Sequence, residues 1–238
     1  MIDQQEETSK TDARALTLSR LWGMVRPTYL WTRYIDHPPG VLLAWLSLRL
    51  GIGARILTVL TAIPVLFGAY SLLVFPHPWN LVGFLVAIQL SYIVDCADGP
   101  VARATGAASG PGAYLDRLID FFSLAVIGIG YSRYIVVHIP SHSFILWSAV
   151  AFFVTRALSY SAQFMKPETK GPMASLSENP LVKTVGQFTD TGLWWFFLPL
   201  FVWKDPLWIP LAFGALLNLS VYLKGIATAY RGNVPTAS

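Results

Sequence analysis

A single cysteine, Cys96, occurs in 238 residues, so no intrachain disulfide can form and packing alone must hold the fold. Cys96 itself reads as a small side chain packed in a helix. Charge is scarce as well. Only 13% of residues are charged, about half the share of a soluble globular domain. The four histidines lack metal-ligand spacing, so none is assigned a role. Residues 1–19 have no basic stretch leading into an apolar run, and no cleaved secretory leader is expected. That polar, mixed-charge segment reads as a disordered tail. Internal repeats and low-complexity tracts are absent, and no nucleic-acid partner is expected.

What remains is apolar. Hydrophobic residues make up 54% of the chain, and the mean hydropathy is +0.52. These values define an all-α integral membrane protein built as one bundle. Apolar windows near the ~20 residues of a bilayer crossing occur at 56–75, 80–101, 113–137, 143–164, 186–203 and 206–227. Six transmembrane helices are therefore expected. Pro76-His77-Pro78, Ile139-Pro140, the polar run from Lys166 to Lys183 and Lys204-Asp205-Pro206 separate them.

Basic residues fix the orientation. Seven of them, from Lys10 to Arg55, precede the first window; Arg103 and Arg117 flank the second connection, and Lys166, Lys170 and Lys183 fill the fourth. Both termini are then cytoplasmic. Trp79, Trp147, Trp203 and Trp208 fall at the opposite boundaries, as interfacial aromatics do. Residues 20–55 interleave Arg20, Trp22, Arg26, Trp31, Arg33 and Trp45. They read best as a cytoplasmic interfacial amphipathic helix with its arginines toward anionic headgroups, the alternative being a cap packed over the bundle. The expected organisation is a tail at 1–19, a juxtamembrane segment at 20–55, a six-helix domain at 56–231 and a tail at 232–238.

Acidic residues number only 13, yet four lie within 26 positions: Asp95-x-x-Asp98-Gly99-x-x-Ala102-Arg103, eight residues to Gly112, then Asp116 and Asp120. Carboxylates beside long apolar runs are costly and normally functional. On a helix, Asp95 and Asp98 share one face, as do Asp116 and Asp120. Two helix ends can thus turn four carboxylates toward one point, as a pair of divalent cations requires. The intervening RATGAASGPG stretch is small and flexible, suited to close approach by a phosphate, with Arg103 as a permanent cation.

This D-x-x-D-G-x-x-A-R-x8-G-x3-D-x3-D pattern resembles the signature of the CDP-alcohol phosphotransferase (CDP-alcohol phosphatidyltransferase) family of membrane enzymes. The resemblance implies that Asp95, Asp98 and Asp116 ligate two Mg2+ or Mn2+ ions with Asp120 at the edge, and that Asp120 is the general base. It further implies that Gly99, Ala102 and Arg103 contact the cytidine diphosphate, that Gly112 permits tight approach, and that Ser109 offers a phosphate-binding hydroxyl. The family commonly opens its first span with Pro-Asn-x-x-Thr; here Ala54-Arg55-Ile56-Leu57-Thr58 stands there, and only the threonine matches.

The implied reaction takes a CDP-linked donor such as CDP-diacylglycerol and a small polar or lipid alcohol acceptor, and releases CMP. Membrane lipids and a homodimer partner are implied too, and the expected location is the bacterial inner membrane with the site facing the cytoplasm. Arg156 and Lys183 are expected to line an anionic-acceptor pocket. Two other readings stay open on the residues alone: a dinuclear-metal hydrolase of a similar diphosphate, and a cation-binding transporter.

Overall fold

The computed structural model describes residues 13–25, 29–139, 142–164, 184, 193–194 and 208–232. Among them the regular elements are helical: α1 (Leu18–Gly23), a π-helical turn (Thr32–Asp36), α2 (His37–Leu50), α3 (Ala54–Leu60), α4 (Ala62–Val74), α5 (Trp79–Ala104), α6 (Gly110–His138), α7 (His142–Phe164) and α8 (Trp208–Gly232). Among the described residues three stretches are long and apolar enough to cross a bilayer: α3 with α4 (Ala54–Val74), α5 and α6. Shorter apolar stretches lie in α7 and α8, at Ser143–Ser159 and Leu211–Leu223. The window at 186–203 and Lys183 fall outside the described residues.

The exposed faces show what solvent these helices meet. On α4, Ile63, Leu66, Phe67, Tyr70 and Leu73 recur at helical spacing and are all exposed, while Val65 and Leu72 are buried. An apolar stripe on the outside of a helix belongs in lipid rather than water, so the chain is an integral membrane protein. Small residues bring the helices close. A Cβ on Gly68 would lie 3.3 Å from Ala87 and Ile88 of α5, and one on Gly130 of α6 would lie 3.3 Å from Ala69. α4 therefore packs directly against both helices that carry the aspartates. Tyr131, fully buried, meets Phe84 and Phe153 with ring centroids 6.5 and 6.1 Å away, tying α5, α6 and α7 into one core.

The juxtamembrane region packs one face against α5. Leu21, Val41, Ala44 and Leu48 are buried with Ala97 and Val101 of α5. Its opposite face carries exposed Leu42, Leu46 and Leu50, so α2 is apolar on both sides rather than divided into apolar and basic faces. Contact is closest at Gly40, where a Cβ would meet that of Cys96 at 2.8 Å. Asp36, wholly buried, accepts a hydrogen bond from Gln89 Nε2. Toward α5 this region acts as a packed cap. Its physical reason is that Gly40, Val41, Ala44, Ser47 and Leu48 form a continuous buried stripe at helical spacing. The packing extends upstream to Ala13, which is 3% exposed, so structure begins within the stretch read from sequence as a tail.

His37, the first residue of α2, is held near pKa 4 by burial and by the neighbouring Arg103 and Arg33 guanidinium groups. An unfolded chain takes up this proton below about 6.5, whereas the folded chain does so only near 4. Stability therefore falls as pH drops through that window. We expect the thermal midpoint in detergent to decrease from pH 7 to pH 5, and His37→Gln to reduce that decrease.

Candidate active site

Helix lengths alone bring the aspartates level. α5 ends at Ala104, six residues after Asp98; α6 begins at Gly110, six residues before Asp116. At 1.5 Å per residue both lie about 9 Å inside their helix tips. Asp95 and Asp120 lie nine and ten residues in, one helical turn deeper. The connection between the tips reverses direction through Gly106, whose φ of +67° is the left-handed conformation that glycine adopts without penalty.

The result is a three-carboxylate cluster. Asp95, Asp98 and Asp116 each offer an oxygen, and these atoms lie within 4.8 Å of one another. Asp120 stands outside the trio but close enough to interact electrostatically with Asp95, Asp98 and Asp116. A donor set made only of carboxylate oxygens suits hard divalent cations such as Mg2+ or Mn2+. Thr58 Oγ1 donates to Asp98 Oδ2 at 2.5 Å, fixing that carboxylate's orientation from α3. The bond ties the first span to the helix that carries Asp98. Arg55, one turn before Thr58, lines the cavity where the family's asparagine is expected.

In front of the cluster opens a cavity of about 1230 Å³. Asp98 and Asp116 line it, together with Gly99, Ala102, Arg103, Ser109 and Gly112, so every donor-binding residue expected from the motif faces one space. Arg103 folds back toward the N-terminus of its helix, as helical side chains do. Its Nη2 would lie 2.9 Å from a Cβ on Gly99. A Cβ at position 99 would therefore push the guanidinium aside. We expect Gly99→Ala to displace Arg103 and raise the donor KM by about tenfold or more, the scale of one charge-assisted hydrogen bond. An unchanged KM would show that Arg103 does not meet the donor.

Ser109 has a different first duty from the one expected. Its Oγ accepts the Gly112 N–H at 3.2 Å and caps α6. The hydroxyl proton is still able to donate to a phosphate. Gly112 belongs to the same cap, since a Cβ there would crowd Ser109 Oγ at 3.2 Å.

Arg156 does not line this cavity. It is buried in α7, donates from Nη1 to Asn218 Oδ1 of α8 at 3.0 Å, and lies within electrostatic reach of Asp120. Sequence reasoning passed over Asn218, although an asparagine inside the apolar window 206–227 was a visible signal. Arg14 was also missed. It lines the cavity from the segment read as a tail.

A helical membrane bundle with carboxylates gathered where two helix tips meet, beside an arginine-bearing cavity, fits a membrane enzyme that handles phosphate esters. The family model for CDP-alcohol phosphatidyltransferase matches residues 52–226, and the chain belongs to that family. It is 34% identical over 113 residues to the Bifunctional IPC transferase and DIPP synthase of Archaeoglobus fulgidus. That match takes in 46% of this chain and 21% of the relative, so the chain spans about a fifth of the relative's length.

Proposed function

We propose that the protein transfers a phosphoalcohol group, a phosphatidyl group in the leading reading, from a CDP-alcohol to the hydroxyl of an acceptor, with release of CMP. The observation that carries this reading is the Asp95–Asp98–Asp116 cluster opening onto the cavity that holds Arg103. At about 1230 Å³ the cavity exceeds an ordinary small-molecule site, in keeping with two substrates at once.

Asp95, Asp98 and Asp116 would hold two Mg2+ or Mn2+ ions. Such ions offset charge on the phosphoryl and leaving oxygens. Arg103 binds the diphosphate, and the Ser109 hydroxyl donates to it. Asp120 accepts the proton of the acceptor hydroxyl as its oxygen attacks the phosphorus bearing the donor's alcohol. The bond from that phosphorus to the bridging oxygen breaks, and CMP leaves with the electron pair. Arg156, hydrogen-bonded to Asn218, positions Asp120 from behind; Lys183 is proposed to serve the acceptor. We further propose six spans, cytoplasmic termini and a site facing the cytoplasm of a bacterial inner membrane, from the distribution of Lys and Arg. The homodimer is carried over from the family resemblance.

The test incubates purified protein with CDP-diacylglycerol, Mn2+ and a panel of alcohols, with mass spectrometry of the products. An acceptor-dependent phosphodiester and equimolar CMP are expected. CMP released at full rate without any alcohol would identify a hydrolase instead.

A further inference from the structure

Arg14 lies upstream of the matched region, yet it lines the same cavity as Asp98, Arg103 and Asp116. Its backbone is anchored, because neighbouring Ala13 is buried in the cluster formed by α1, α2 and α5. The guanidinium reaches over Gly51, where a Cβ would sit 3.1 Å from Nη2. Gly51 closes α2 in the left-handed conformation, φ +73°. One glycine therefore makes the turn and clears the space. Among the described residues no hydrogen bond or ion pair holds the exposed Arg14 side chain, which lines the cavity and carries five N–H donors.

Depth decides which part of a bound ligand it meets. The reacting diphosphate must lie by Asp98 and Asp116, at the level of Thr58 in the second turn of α3. Arg14 reaches over Gly51, ahead of the first turn of α3, whereas Thr58 and its partner Asp98 lie about 6 Å of helix rise beyond Ala54. A donor of this kind has a lipid or alcohol arm on one side of the diphosphate and a nucleoside on the other. The apolar arm belongs toward the bilayer; the polar nucleoside points outward, to the end where Arg14 stands.

Resting on the reading of the cavity as a CDP-alcohol site, we propose that Arg14 clamps the nucleoside of the donor, its guanidinium donating to the acceptor atoms of the base. The segment ahead of the family domain then supplies a determinant of donor affinity. Calorimetry on the full chain in detergent with Mg2+ tests this, with CDP and inorganic pyrophosphate as separate ligands. Arg14→Ala should weaken CDP binding 10- to 100-fold and leave pyrophosphate binding unchanged. Arg14→Gln, which keeps most of the stem, should behave alike and guards against a folding defect. Arg20→Ala, an exposed arginine outside the cavity, should alter neither affinity.

Wild-type CDP affinity in both Arg14 variants overturns the proposal. So does an equal loss of CDP and pyrophosphate binding, which would make Arg14 a phosphate ligand. Failure of the unmodified protein to bind CDP would instead overturn the donor-site reading itself, and the Arg14 proposal with it.

Discussion

Asp120→Asn is expected to give a folded, membrane-inserted protein whose rate of CMP release is lower by about 10²- to 10⁴-fold, the usual contribution of a general base. The substitution keeps side-chain shape and removes only the capacity to take a proton. It singles out Asp120 because the other three carboxylates form the compact cluster while this one stands a turn deeper on α6. Mn2+ binding should therefore survive Asp120→Asn and be lost in Asp98→Asn. Asp120 feels both the cluster carboxylates and the Arg156 guanidinium, which is itself held by Asn218. Asn218→Leu should accordingly weaken turnover through Asp120 and leave donor affinity alone. Full activity in Asp120→Asn would take this residue out of the chemistry, whatever the cluster does.

The site was legible in the sequence to an unusual degree, for a geometric reason. Asp98 and Asp116 are equally far from the ends of α5 and α6, so once both helices and the short connection were recognised, the aspartates had to meet. Contacts within one helix or one turn, Arg103 over Gly99 and the Ser109 cap on Gly112, join residues that the motif already singled out, though for other roles. Contacts between distant segments were not legible. Thr58 binding Asp98 spans 40 positions and Arg156 binding Asn218 spans 62; spacing rules say nothing about such pairs. In the juxtamembrane region the arginines and tryptophans drew attention to a headgroup-facing surface, and the packing on α5 through the small residues Gly40, Ala44 and Ser47 was less visible. Small side chains carry little hydropathy signal, yet they set how closely two helices approach. Arg14 was hidden by its setting, an arginine next to a polar, mixed-charge run.

Removal of divalent cations should abolish turnover and should also lower stability. Three carboxylates with oxygens within 4.8 Å of one another repel strongly in a poorly solvated setting. Arg103 is the cation closest in sequence, and it offsets only part of that charge. Anything that binds the folded site and not the unfolded chain stabilises by mass action, about 2.7 kcal/mol at a hundred times the dissociation constant. The thermal midpoint in detergent should thus rise when Mn2+ or Mg2+ is added to chelated protein, independently of any substrate. Asp98→Asn should flatten that response, because Asp98 belongs to the cluster and is the carboxylate that Thr58 orients. Thr58→Val should shift the response to higher metal concentration without removing it, since a freed carboxylate still binds but must be ordered first. A midpoint and a turnover rate that both ignore chelation would remove metal from this site. The carboxylate cluster would then need another source of positive charge, and the arginines on the same cavity are Arg14, Arg55, Arg103 and Arg117.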